Sequence, residues 1–270
     1  MALVCGVRRE LYLTPKPGLV DLHDCGSHPD LSLAVMERSI GLVGAYLRTL
    51  CGSLGRDEPL RVQIAIAQRA EQVMLAELGT NTHKGAIFLA GVLLIASYRV
   101  GSHDEPALRA AVSSLAREIA EVAAPRATHG EAARRRYRVG GILGEVEAGL
   151  PSVFEVGVPA FRAAVLRGDD PAAASFSMLA RLMQTVEDTT ALHRCGSAGL
   201  ARLRVDGACL ERLVAIGAHV PFLRERNVLY RRMNLTMGGV ADLLGAGLGW
   251  LTHRGELPPV PAPPAGPAHP

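Results

Sequence analysis

The chain has 270 residues, 29 basic and 26 acidic, for a formal net charge of +3. A hydrophobic share of 49% beside 20% charged residues excludes disorder over most of its length and suffices for an unaided core. Aromatic residues, at 4%, are too few for the stacking platforms of single-strand binders, so no nucleic-acid polymer is expected as a partner.

Helical spacing runs through nearly the whole sequence. A first helix is predicted over 31–50 with Asp30 as its N-cap, and a second over 60–78 with Gly79 just past its end. In the second, Val62, Ile66, Ala70 and Val73 form an apolar stripe beside Glu71. Residues 85–98 are apolar all round and predict a central buried helix. A helix over 106–122 follows, then a short one opened by Thr128 with Glu131 in a capping-box pattern. Further helices are predicted over 151–166, 171–186, 206–218, 221–233 and 241–251, with no alternating strand between them. The expected fold is all-α: a single multi-helix orthogonal bundle over 1–254, followed by a disordered proline-rich tail over 255–270.

Five cysteines (Cys5, Cys25, Cys51, Cys195 and Cys209) are scattered and form no CxxC pair, which argues against a zinc knuckle or a thioredoxin-like motif. Arg8, Arg9 and Glu10 interrupt any apolar stretch at the start, so no secretory signal is read there. The longest apolar run, 85–97, is shorter than the roughly 20 residues of a membrane span. A soluble, cytoplasmic protein without a membrane partner is expected. Only two of the basic residues, Lys16 and Lys84, are lysines; a compact ammonium suits a point contact to phosphate better than a planar guanidinium does.

Polar and charged residues collect with glycine in five segments: TPKPGLVDLHDCGSHPD (14–30), GTNTHKG (79–85), GGILGE (140–145), EDTTALHRCG (187–196) and NLTMGGVADLL (234–244). All five are read as lying between helices, and loops carry chemistry more often than helix faces do. In the first, prolines stiffen a stretch holding Asp21, Asp24, Asp30, His23 and His28, a set able to hold Mg²⁺ through carboxylate or water contacts or simply to form a solvated turn. The HD pair His23-Asp24 suggests a metal-dependent phosphohydrolase, but it sits on a loop with no preceding histidine, and that reading is rejected. GTNTHKG sets Lys84 at the start of the most apolar helix, a ready anion site; it is not a Walker A loop, since the GxxxxGKS/T spacing is absent.

The order of these segments resembles the triphosphoribosyl-dephospho-CoA synthase family, which makes the prosthetic-group precursor of citrate lyase and malonate decarboxylase. The matching stretches are ELYLTPKPGLVD, GSHPDL, AEQVML, GTNTHKGAIF, GGILGEVEAGLPSVFEVGVPAF, DTTALHR and NLTMGGVADLL. The resemblance implies an all-helical transferase that uses ATP and 3′-dephospho-CoA, releases adenine, and attaches the 5-triphosphoribosyl unit to the acceptor's 2′-hydroxyl. Mg²⁺ is implied with the triphosphate, and a homodimer is a possible assembly.

On that footing Lys16, Lys84 and Arg194 are assigned to phosphates, with Asn81, His83, His193, Gly238 and Gly239 as further nucleotide contacts. Asp21, Asp30 and Glu71 are the candidates for metal or ribose. Asp21, Glu145, Asp188 and Asp242 are the candidates for the base or the carboxylate facing the oxocarbenium-like centre. The chain departs from the family at Leu143, where arginine is usual, at Thr190 (asparagine or another residue), at Cys195 (glycine) and at Thr236-Met237 (Ser-Pro). It also starts close to the first motif, so a preceding helix is expected to be missing. Leu143 keeps open a related enzyme that uses another acceptor or water. A nucleotide-binding member without turnover is the third reading.

Overall fold

Helical spacing becomes helix throughout, and the computed structural model, which describes residues 1–102, 104–122 and 129–260, has no strand among them. In chain order the helices are α1 (Ala2–Tyr12), α2 (Leu33–Gly55), α3 (Leu60–Leu78), α4 (Lys84–Val100), α5 (Glu105–Val122), α6 (His129–Tyr137) and α7 (Gly141–Glu147). After a π-helical stretch, Ser152–Gly157, come α8 (Val158–Leu166), α9 (Pro171–Thr185), α10 (Thr189–Ala215), α11 (His219–Met233) and α12 (Gly238–His253). Among the described residues no single helix is long and apolar enough to cross a membrane.

The chain enters the first motif from α1. Its apolar residues Val4, Val7 and Leu11 are buried. α1 lies along α12 so closely that a Cβ on Gly6 would come within 2.6 Å of the Gly249 Cα; only glycine permits that approach. α12 also contacts α4, α9 and α10, and α4 buries Ile87, Leu89, Val92, Leu93 and Ile95. One continuous apolar core runs from Val4 to Leu257, with α4 and α12 among its most buried helices.

Several boundaries differ from expectation, each for a local reason. Ser32, not Asp30, caps α2: its extended backbone lets its hydroxyl accept the Val35 N–H at 3.3 Å. GGILGE is itself mostly the short helix α7. The segment 187–196 is the start of α10 rather than a loop, because Asp188 caps that helix. The helix predicted over 206–218 is the second part of α10, whose first part ends in a kink at Gly196 (φ 64°, ψ −162°). The body also continues past 254. Leu257 is buried, Glu256 makes a bidentate pair with Arg162 at 2.8 Å, and Arg9 bonds the Pro258 carbonyl. Thr128 and the tail from 261 onward lie outside the described residues.

Candidate active site

The loop between α1 and α2 is folded around Asp21. One carboxylate oxygen accepts the Lys16 N–H at 2.9 Å, and the other accepts His23 and Asp24 N–H at 2.8 and 3.0 Å. Asp21 is buried and acts as a staple of the loop. Lys16 is 1% exposed; its ammonium is bound by the Glu10 carboxylate and the Glu10 carbonyl. The sequence placed Lys16 on phosphate, yet here it neutralises a glutamate inside the protein. Burial pushes the Glu10 carboxyl up and Lys16 pulls it down.

The same loop docks onto the segment ahead of α12. Ser27 donates to the Leu235 carbonyl at 2.7 Å, and His28 Nε2 meets the Thr236 hydroxyl at 2.9 Å. Arg194, from the first turns of α10, donates to the Ser27 carbonyl at 2.8 Å and to Asn234 Oδ1 at 3.1 Å. It also lies 3.2 Å from His28 Nδ1. Its guanidinium therefore clamps three segments together, rather than standing open to a phosphate. Burial first, then Arg194, lowers the His28 pKa to about 4, against a smaller opposing effect of Asp30. His193 and Asp30 lie on the exposed side of these segments.

The second segment leads into α4. His83 is buried, with Nδ1 2.6 Å from the Ser39 hydroxyl of α2 and a buried Nε2 that has no hydrogen-bond partner among the described residues. Burial, then the nearby Lys16 ammonium, lowers its pKa to about 4. The Asn81 side-chain oxygen is likewise buried without a hydrogen-bond partner among the described residues. Lys84 is the first residue of α4; its side chain is 42% exposed, with Nζ 3.8 Å from the Glu71 carboxylate.

Asp242, one turn into α12, fits against Gly85, where any Cβ would collide with its carboxylate, and it accepts the Ala86 N–H. It retains some accessible surface at a small recess between α1, α4 and α12. The surrounding protein nevertheless governs its charge. Burial, followed by the Glu10 and Asp188 carboxylates, pushes its carboxyl well above the usual range.

Asp188 joins the starts of α10 and α12. It accepts N–H bonds from Thr190 (2.9 Å), Ala191 (2.8 Å) and Val240 (2.9 Å), with Gly239 as a further donor. Burial pushes its carboxyl up and these amides oppose that shift. The Gly239 amide expected to meet a ligand is thus turned to Asp188. At Gly238 a Cβ would come 3.1 Å from the Thr190 hydroxyl.

Beside this knot is a cavity of about 340 Å³ lined by Gly140, Gly141, Gly144, Glu145, Thr185, Glu187 and Arg204. Glu145 receives the Ser152 hydroxyl at 2.5 Å and the Ser152 N–H at 3.1 Å. Burial raises its pKa; the two Ser152 bonds oppose that, while Glu187 and Glu155 reinforce it. Glu187 accepts the Gly140 N–H at 2.7 Å. Sequence reading passed over Glu187 and Arg204: the first stands next to the better-known Asp188, and the second lies three turns down α10 from the motif, at a distance no spacing rule reveals.

All five polar segments are therefore linked, through Lys16 and His83, Asp242 and Gly85, Asp188 and Val240, Arg194 and Ser27, and Gly140 and Glu187. The expected metal trio is not assembled. Among the described residues no three His, Cys, Asp or Glu side chains form a metal-holding group.

Fold and site together define an all-helical protein whose glycine-rich segments converge on buried carboxylates and an open cavity, with a lysine at a helix start. More particularly, the chain belongs to the ATP:dephospho-CoA triphosphoribosyl transferase family, whose model matches residues 2–257. It is 34% identical over 251 residues to the 2-(5''-triphosphoribosyl)-3'-dephosphocoenzyme-A synthase of Klebsiella pneumoniae, covering 88% of each chain. Probable synthases of the same name from Pseudomonas putida and Azotobacter vinelandii are 34% and 36% identical, over 92% and 88% of this chain and 91% and 85% of theirs. No solved structure matches the chain.

Proposed function

We propose that the protein transfers the 5-triphosphoribosyl unit of ATP to the 2′-hydroxyl of 3′-dephospho-CoA and releases adenine. The observation that carries this reading is the family match along 2–257, together with the meeting of all five motif segments around one polar region. Breaking the N-glycosidic bond places positive charge on the ribosyl C1′, which a fixed carboxylate stabilises. The departing adenine takes up a proton as the acceptor hydroxyl gives one up.

In this proposal Lys84 and the start of α4 receive the triphosphate. The Lys84 ammonium is half exposed and only loosely held by Glu71, and it adds to the positive end of the helix dipole. Mg²⁺ would accompany ATP as a complex. That ion binds through one or two carboxylates plus substrate phosphates. Asp21 has its oxygens engaged by backbone amides and Asp30 is exposed; in this proposal Glu71, beside Lys84, touches such a complex. All five cysteines are free, in keeping with the proposed cytoplasmic location.

Mass spectrometry of the products from ATP, Mg²⁺ and 3′-dephospho-CoA tests the reading. Free adenine and the triphosphoribosylated acceptor are expected; ADP accumulating without free adenine would overturn it.

A further inference from the structure

Gly144 lies within α7, where glycine costs helix stability relative to alanine. Other glycines of this region have a packing reason. A Cβ on Gly141 would meet Thr189 at 2.7 Å, and one on Gly140 would meet the Gly144 Cα at 3.1 Å. A Cβ on Gly144 would meet nothing within 4 Å, and Gly144 lines the 340 Å³ cavity. The bare backbone there holds space open rather than admitting a neighbour.

The chemistry of the cavity wall narrows what that space receives. Its volume is near the lower end of the range of about 300–1,000 Å³ for small-molecule sites. Two carboxylates, Glu145 and Glu187, disfavour a phosphate chain beside them and favour groups that donate hydrogen bonds. Ser152 engages both oxygens of Glu145 and the Gly140 amide engages Oε2 of Glu187, while Oε1 of Glu187 has no hydrogen bond among the described residues and can accept from a ligand. A carboxylate oxygen of this kind is well suited to accept from a hydroxyl. Arg204, which also lines the cavity, has no ion pair among the described residues and offers a positive charge for the phosphate that follows a nucleoside.

We infer that this cavity is the adenosine subsite of the enzyme, with Glu187 accepting from a ribose hydroxyl, Arg204 at the 5′-phosphate end and Gly144 kept small to admit the sugar. The inference rests on the proposed transfer reaction, which joins two molecules that each carry adenosine. The subsite serves one of them, ATP or 3′-dephospho-CoA.

The test uses the full chain carrying Gly144→Val, with Gly144→Ala as the smaller step and Glu187→Gln as a change of charge that keeps an oxygen for the Gly140 amide. Steady-state rates of adenine release are measured while each substrate is varied in turn, alongside thermal melting of every variant. Gly144→Ala is expected to melt at or above the wild-type temperature. Gly144→Val is expected to raise KM for one substrate by about tenfold or more, and the substrate affected identifies the occupant. Glu187→Gln is expected to raise the same KM while melting as the wild type does. Folded Gly144→Val protein with both KM values unchanged would overturn the subsite. If the wild type releases no adenine, the transfer reading fails by itself. Calorimetric titration with adenosine, strong for the wild type and weakened at least about tenfold for Gly144→Val, still decides the cavity, and equal binding by the two proteins would sink it.

Discussion

The Asp188 carboxylate bridges two helix starts: it caps α10 through Thr190 and Ala191, and its second oxygen accepts the Val240 N–H of α12 at 2.9 Å. A buried carboxylate so occupied is a structural joint between two motif segments, and it fixes where Asp242, two residues after Val240, enters the knot. Asp188→Ala removes a helix cap and leaves buried amides without acceptors, for a combined loss of about 2–4 kcal/mol. Asp188→Asn turns an NH₂ toward a donor on one side or the other, and it should lose a substantial part of the same stability. Urea unfolding of the two variants measures both. Wild-type midpoints with lost adenine release would instead make Asp188 a group that acts on substrate.

Lys16 and Glu10 carry a second structural prediction. Both are buried, and each is the other's counter-charge. Lys16→Met strands a buried glutamate and should cost about 3–5 kcal/mol. Adding Glu10→Gln to Lys16→Met should return most of that loss, since breaking one half of a buried pair costs more than replacing both. Urea unfolding of the single and double variants reads the cycle. A Lys16→Met protein of wild-type stability with weakened ATP binding would restore the direct phosphate contact that its position beside two prolines first suggested.

Most of the helical framework was legible because apolar spacing and Gly79, an αL C-cap, act locally. The gathering of the five segments was legible too, since each combined glycine with charge. Individual side-chain roles were not. Lys16 looks like a phosphate ligand until α1, whose Glu10 meets it, is seen to exist. Arg194 looks equally available until its three acceptors on other segments are known. Partners so distant in sequence leave no trace in local spacing. Glu187 was missed for the opposite reason: its neighbour Asp188 carries the strong local signal of an N-cap, while Glu187 gains meaning only from the cavity beside it.

His83 predicts an acid limb of stability. Its pKa falls from 6.5 to about 4 in the folded protein, through burial and the Lys16 ammonium. The unfolded chain therefore takes up the proton first, so the stabilisation is full above about pH 6.5 and is lost as the pH falls toward the folded value. Between pH 7 and pH 5 this one residue should account for about 2 kcal/mol of lost stability. His28, also lowered to about 4, adds in the same direction. Unfolding free energies of wild type and His83→Gln at pH 7 and pH 5 give the comparison. The pH 7 to pH 5 difference should shrink in the variant; an undiminished difference would refute the assignment.

Lys84 separates a ligand-binding residue from a surface ion pair. Its Nζ is 3.8 Å from Glu71, with 42% of the side chain exposed, and pairs of this kind contribute about 0–1 kcal/mol to folding. Lys84→Ala should therefore melt close to the wild type. A charge-assisted contact to phosphate contributes about 1.5–3 kcal/mol, which corresponds to a loss of Mg²⁺-ATP affinity of about one to two orders of magnitude. Lys84→Arg keeps the charge at the start of α4 but presents a larger planar group, so it should recover only part of that affinity. Glu71→Gln bears on the same point from the other side. Without that carboxylate the Mg²⁺ complex loses the contact proposed for Glu71, so affinity should fall; an affinity that holds or rises would remove Glu71 from that complex. Calorimetry on the folded variants reads all three, and an unchanged affinity in Lys84→Ala would return Lys84 to the role of a capping-turn lysine paired with Glu71.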